Sequence, residues 1–193
     1  MPDLVAACLD GGATFLQIRA KTTSSTSLLR MVDAVLARAE AFGALVVVND
    51  RADVARLAGA RAVHIGQDDL PPAAVRLVAG PNTFVGLSTH TDIQVQAALT
   101  EPVNYLAIGP VFGTATKATG YDAVGLDMVR HAAGSARAVD LPVVAIGGIT
   151  LQRAPEVITA GATAVAVIGD LLSTGDPAGR VRAFLTALSP SRS

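Results

Sequence analysis

The chain has 193 residues, 51% of them hydrophobic, and a formal charge of −1, which supplies one compact domain over 1–193 with a sizeable core. Fifteen Lys and Arg against sixteen Asp and Glu leave no net positive field to hold a nucleic-acid backbone. Cys8 stands alone, which excludes an intramolecular disulfide and a cysteine-built zinc site and suits a cytoplasmic location. Neither a signal peptide nor an apolar run of membrane-spanning length is legible.

The chain opens on a helix-like segment, Pro2 to Leu9, that ends at Gly11-Gly12. Apolar strand-like runs follow at 14–19, 44–49, 62–66, 84–88, 104–109, 142–147 and 164–168. Between and after them lie amphipathic patterns at 25–42, 51–59, 71–79, 91–100, 125–138, 150–160 and 176–188. Gly43, Gly59, Gly80-Pro81 and Gly161 stand at helix C-termini, where glycine stops a helix cheaply. The alternation predicts a parallel α/β fold whose strands are covered on both faces. Polar residues then collect at the strand C-termini, the face that carries the active site of a (β/α)₈ barrel. Only seven strands are counted, so such a barrel lacks its first. A doubly wound open sheet is the alternative, although no Gly-x-Gly-x-x-Gly follows the first strand.

At those ends stand residues suited to phosphate and metal chemistry. Gln17-Ile18-Arg19-Ala20-Lys21 delivers an amide, a guanidinium that can clamp phosphate oxygens and a mobile ammonium, or simply ends a strand in solvated charges. Asn49-Asp50-Arg51 supplies either a carboxylate ligand or an Asp N-cap for the next helix. Gly66-Gln67-Asp68-Asp69-Leu70-Pro71 reads either as a second ligand or as an acidic turn before a proline-started helix. Asp50 and Asp69, if brought to one mouth, suit Mg²⁺, which takes one or two carboxylates plus substrate phosphates.

Ser88-Thr89-His90 ends the fourth strand, with His90 a rim hydrogen-bonding residue or an acid–base group; His64 reads as a core histidine and His131 as an exposed helix residue. Gly109 to Lys117 puts Thr114, Thr116 and Lys117 on a long loop, the kind of segment that carries function. Ile146-Gly147-Gly148-Ile149-Thr150 and Val167-Ile168-Gly169-Asp170 each open a helix, where backbone N–H groups bind phosphate.

Taken together, these stretches resemble the thiamine-phosphate synthase family over nearly the whole chain. The resemblance implies a TIM (β/α)₈-type barrel without its first strand. It implies a transferase that couples 4-amino-2-methyl-5-(diphosphooxymethyl)pyrimidine to a thiazole-ethyl phosphate, releasing pyrophosphate by a dissociative route. Gln17, Arg19, Lys21, Asn49, Ser88 and Lys117 are implied to hold the pyrimidine diphosphate, with Arg19, Lys21 and Lys117 neutralising the leaving group. Asp50 and Asp69 are implied to ligate Mg²⁺. Thr114, Ala115, Thr116, Gly148, Ile168 and Gly169 are implied to hold the thiazole phosphate. The partners are small molecules, with no nucleic acid or membrane, and a homo-oligomer is left open.

Three features depart from the family pattern. The first strand and its loop are absent, which predicts either a gene start set too late, the favoured explanation, or a barrel that closes imperfectly. Ala20 replaces a residue that is commonly acidic, and Gly169-Asp170 stand where a serine and a small residue are usual. Asp170 is expected to put negative charge beside the thiazole phosphate and lower its affinity. Two rivals remain. A thiazole tautomerase on the same fold predicts loss of the Asp50, Asp69 and Lys117 equivalents, yet all three are present. A shortened paralogue that binds thiamine phosphates without turnover is suggested by the missing strand.

Overall fold

The structure, a computed structural model, describes residues 2–113 and 120–189. Helix α1 (Pro2–Asp10) leads into β1 (Phe15–Ile18), followed by α2 (Ser25–Glu40), β2 (Leu45–Asn49), α3 (Ala52–Ala58) and β3 (Ala62–Ile65). Next come α4 (Pro72–Ala79), β4 (Phe84–Thr89), α5 (Asp92–Ala98), β5 (Tyr105–Ile108), α6 (Gly125–Arg137), β6 (Val143–Ile146), α7 (Ala154–Thr159) and β7 (Ala164–Ala166). A four-residue helix, α8 (Gly169–Leu172), and α9 (Pro177–Leu188) complete the chain.

Each strand pairs in parallel with the next, so the sheet order is the sequence order, β1 to β7. Among the described residues the strand order never reverses, which rules out the doubly wound alternative and its switch-point site. The sheet is strongly curled. Four strand spacings of a flat sheet would separate β1 from β5 by about 19 Å, yet the rings of Phe15 and Tyr105 on those strands meet edge to face at 5.6 Å. Among the described residues β7 does not pair with β1, so the strand ring is an open barrel of seven.

The helix ring closes where the strand ring does not. Helix α1 packs against both α2 and α9. Gly11 lets α1 approach α9, because a Cβ there would lie 2.7 Å from the Ala178 carbonyl oxygen and from Val181 Cβ.

Period-two alternation divides the strand residues between two layers. Val46, Val48, Val63, Ile65, Val85, Leu87, Leu106, Ile108, Val143 and Ala145 face the helices and form the core with Val32, Val54, Val75, Val95, Val129 and Val157. The residues between them line the barrel interior. That face includes Phe15 and Gln17 on β1, Val47 and Asn49 on β2, and Ala62 and His64 on β3. It continues with Phe84, Gly86 and Ser88 on β4 and Tyr105 and Ala107 on β5. Beside the open edge Phe15 is 43% exposed, whereas Tyr105, well inside the sheet, is 4% exposed.

The helix expected from 150 starts at Ala154 instead. Pro155 has no N–H to donate back to Leu151, so 150–153 form a turn in which the Arg153 and Ala154 N–H groups donate to the Thr150 carbonyl. Gly148 therefore lies outside the first turn of α7, whereas Gly169 does open α8.

Candidate active site

The first carboxylate leaves the end of β2 through a backbone twist. Asp50 has φ 63°, the left-handed region that costs most side chains but that Asp tolerates comparatively well. Its N–H still donates to the His64 carbonyl at 2.8 Å, tying the backbone to β3 while the side chain turns away. Asp50 does not cap α3: Arg51 occupies that position without a side-chain capping bond. The N-cap alternative is thereby overturned, and Asp50 Oδ2 instead lies 3.0 Å from Lys21 Nζ. Arg51 and Asp53 are structural, paired with each other at 2.6 Å while Arg51 also donates to Ser25 Oγ.

Asp69 is placed by the turn after β3, where the Gly66 N–H donates to its Oδ2 at 2.7 Å. Asp69 lies near enough to Asp50 to act on its carboxyl group. Asp50 is held above the ordinary carboxylate range, chiefly by burial; Lys21 opposes that shift and Asp69 reinforces it. Among the described residues no cluster of three or more His, Cys, Asp or Glu could hold a metal ion. Two neighbouring carboxylates fit Mg²⁺ on one condition, that a bound substrate and water complete the oxygen ligands, and phosphate oxygens are its usual complement. Lys21, Thr23, Asn49, Asp50 and Arg51 line a cleft at this rim.

Gln17, Asn49 and Ser88 are inner-face residues of β1, β2 and β4, and Arg19 extends the inner row of β1 past the strand end, where it is exposed. Gln67 Nε2 donates to the Ser88 carbonyl at 2.6 Å and fixes that strand end. His64 is the buried histidine expected, but its partners tie it to the site: Nδ1 lies 2.8 Å from Tyr105 Oη and Nε2 lies 2.8 Å from Ser88 Oγ. His90 takes the rim role, with Nδ1–H donating to the Gly109 carbonyl and its ring stacked on Tyr121 at 4.0 Å. His131 is exposed on α6 and pairs with Asp92 at 2.6 Å.

Across the mouth, the β5 and β6 loops are nested together. The Val111 and Phe112 N–H groups donate to the Ile146 and Gly147 carbonyls at 2.8 and 3.0 Å. Gly147 and Gly148, both at positive φ, are required there, because a Cβ on the first would overlap Pro110 and on the second the Gly113 carbonyl. Arg153, which the motif reading passed over, donates to the Gly148 carbonyl at 3.2 Å and lies 4.5 Å over the Phe112 ring. Thr114, Ala115, Thr116 and Lys117 lie outside the described residues.

Asp170, expected to add negative charge near the thiazole phosphate, has a charged partner of its own. Its Oδ2 accepts from Arg180 Nε at 2.9 Å and pairs with Arg180 Nη2 at 2.7 Å, and it also accepts from the Leu151 N–H at 3.1 Å. The carboxylate, in the first turn of α8, is thus paired with a cation ten positions along the chain.

An open parallel barrel with carboxylates, cations and glycine-built loops at the strand C-termini defines a phosphate-handling enzyme of the TIM-barrel type. Residues 1–171 match the thiamine monophosphate synthase family, and the chain belongs to it. A thiamine-phosphate synthase of Acidothermus cellulolyticus is 42% identical over 190 residues, covering 98% of this chain and 88% of the relative. One from Koribacter versatilis is 47% identical over 178 residues, with 92% and 82% covered. The solved thiamine phosphate pyrophosphorylase of Pyrococcus furiosus superposes with a TM-score of 0.88 at 30% identity, covering 96% of this chain and 88% of that one. A 3-hexulose-6-phosphate synthase, at 18% identity and TM-score 0.70, shares the fold.

Proposed function

We propose that the chain makes thiamine phosphate from the pyrimidine diphosphate and a thiazole-ethyl phosphate, using Mg²⁺, in the cytoplasm. The observation that carries this reading is the convergence of Asp50, Asp69 and Lys21 from consecutive strand ends at one rim. In the reaction the bond between the pyrimidine methylene carbon and the diphosphate oxygen breaks. The thiazole nitrogen then supplies the electron pair for a new C–N bond, and pyrophosphate leaves.

No side-chain nucleophile is needed, because the protein's task is to receive charge on a departing group and to hold two reactants in line. Asp50 and Asp69 would hold Mg²⁺, which when bound supplies positive charge to the diphosphate oxygens. Lys21, already ordered against Asp50, and Arg19 add charge on the β1 side. Gln17, Asn49 and Ser88, sharing the inner face, would orient the pyrimidine. Gly148 and the backbone at Ile168-Gly169 would receive the thiazole phosphate, together with Thr114, Ala115, Thr116 and Lys117 of the adjoining loop. The tautomerase alternative has no use for two neighbouring carboxylates and is not favoured.

The test incubates purified protein with both substrates and Mg²⁺ and follows thiamine phosphate and pyrophosphate together. Equal amounts of the two products are expected, with loss of both on chelation. A folded protein that yields neither product with Mg²⁺ present overturns the reading.

No helix among the described residues is long and apolar enough to cross a membrane.

A further inference from the structure

The barrel interior carries a hydrogen-bonded chain whose two inner members, Tyr105 and His64, the reaction above leaves without a task. It runs from Tyr105 Oη through both ring nitrogens of His64 to Ser88 Oγ, 2.8 Å at each step. Tyr105 and His64 are 4% and 6% exposed, so the chain links the closed interior to a hydroxyl at the rim.

The register explains how the three side chains meet. His64 pairs across to Gly86, and Gly86 to Tyr105, so the two rings approach over a strand position with no side chain. A Cβ at Gly86 would overlap the Tyr105 ring. Glycine inside a strand weakens it, and a close approach by another group is the usual reason for its presence. The Tyr105 ring is further fixed by Phe15, edge-on at 5.6 Å, and by Phe84, stacked at 5.7 Å, while the His64 ring stacks on it at 5.5 Å.

The direction of the hydrogen bonds follows from what each group can give. Burial pushes the Tyr105 phenol well up, so it keeps its hydrogen throughout the neutral range. Its hydrogen-bond partner among the described residues is His64 Nδ1. A buried donor left unspent costs more than an unused second lone pair, so the phenol donates to Nδ1. An Nδ1 that accepts places the imidazole proton on Nε2. Nε2–H then donates to Ser88 Oγ, and the Ser88 hydrogen is directed away from the histidine. The Ser88 backbone is fixed independently by Gln67.

The geometry points to Tyr105 and His64 as positioning residues that set Ser88 as a hydrogen-bond donor toward an acceptor atom of the pyrimidine diphosphate, an assignment that rests on the substrate reading above.

Two measurements test it. Nitrogen-15 NMR of histidine-labelled protein, with His64 assigned from the signals lost in His64→Gln, reports the tautomer without any substrate. The Nε2–H form is expected in the native protein, with that preference lost in Tyr105→Phe; an Nδ1–H form in the native protein overturns the inference. The second is a double-mutant cycle on kcat/KM. Removing one neutral hydrogen bond in Tyr105→Phe should cost about 3- to 10-fold. In a Ser88→Ala background the same change should cost less than about 2-fold, because the residue it acts through is gone. Multiplying losses at unchanged Tm overturn the relay. If the native protein makes no thiamine phosphate, the substrate reading fails by itself, and the tautomer measurement still decides the positioning chain.

Discussion

Replacing Arg180 by Met tests whether an ion pair insulates the proposed thiazole phosphate site from Asp170. Both partners are largely buried, at 14% and 11% side-chain exposure, and the guanidinium makes two contacts of 2.9 Å or less to one carboxylate oxygen. Met keeps most of the stem and removes the charge, leaving Asp170 only the Leu151 N–H at 3.1 Å. Breaking a fully buried pair costs about 3–5 kcal/mol; with a residual N–H and some solvent contact, about 2–3 kcal/mol is expected here. For a chain of this size that lowers Tm by roughly 5–10 °C. Asp170 directly follows Gly169, which we propose receives the thiazole phosphate. An uncompensated carboxylate there should weaken phosphate binding by about 1 kcal/mol, roughly a 5-fold rise in KM for that substrate. The pyrimidine KM should stay within about 2-fold, since the site proposed for it lies at other strand ends. Changing Asp170→Asn as well should return KM and most of the Tm. Thermal melts and initial rates on the two single variants and the double variant decide the matter. An Arg180→Met protein with native Tm and native thiazole KM would refute the reasoning.

Asp50→Asn and Asp69→Asn should each lower turnover at limiting Mg²⁺ by about 100-fold, with the far-ultraviolet circular dichroism unchanged; full activity in both variants sinks the metal assignment. The raised Asp50 carboxyl adds a sign to the first of these. A carboxyl shifted up on folding favours the folded chain below its unfolded pKa, and that contribution is lost as pH rises through the folded value. At neutral pH without metal, Asp50→Asn should therefore be at least as stable as the native protein, and a large loss in urea titration would contradict that sign. At the opposite end of the barrel, Arg76 donates to the Pro81, Thr83 and Pro102 carbonyls and to Asn104 Oδ1, all at 2.8–2.9 Å. Arg76→Ala should cost about 2–4 kcal/mol in urea unfolding, leaving KM for both substrates within about 2-fold.

The strands were legible because each apolar run is bounded by polar or glycine-rich ends, and the structure shifts those bounds by no more than about two residues. The count of seven was right for the same reason. What escaped reading depended on register or on distant partners. Asp50 sits where both a ligand and a helix cap belong, and only its positive φ and its contact with Lys21 separate the two roles. His64 reads as an interior histidine, but that its ring reaches both Tyr105 and Ser88 follows from pairings 24 and 41 residues away. Asp170 looked like an unfavourable charge because its partner lies on another helix. Pro155 was a visible signal that the helix after Gly148 starts late, since a proline so near the start belongs in a first turn.

The open edge bears unequally on the two halves of the site. Asp50, Asp69 and Ser88 follow or end β2, β3 and β4, each of which is paired on both sides. Their mutual geometry is set by continuous ladders and by Gly66, Gln67 and His64, none of which lies next to the gap. Gln17 lies in β1 and Arg19 just past it, and Ile168 and Gly169 follow β7, the two strands that have one neighbour each among the described residues. At that gap the surrounding helices supply the closure, with α1 on α9 and Arg180 of α9 holding Asp170 of α8. The carboxylate pair is therefore positioned by the sheet, whereas the start of α8 depends on a helix contact and an ion pair. That asymmetry is why substitution of Arg180, remote from both carboxylates, should be felt at the thiazole phosphate first.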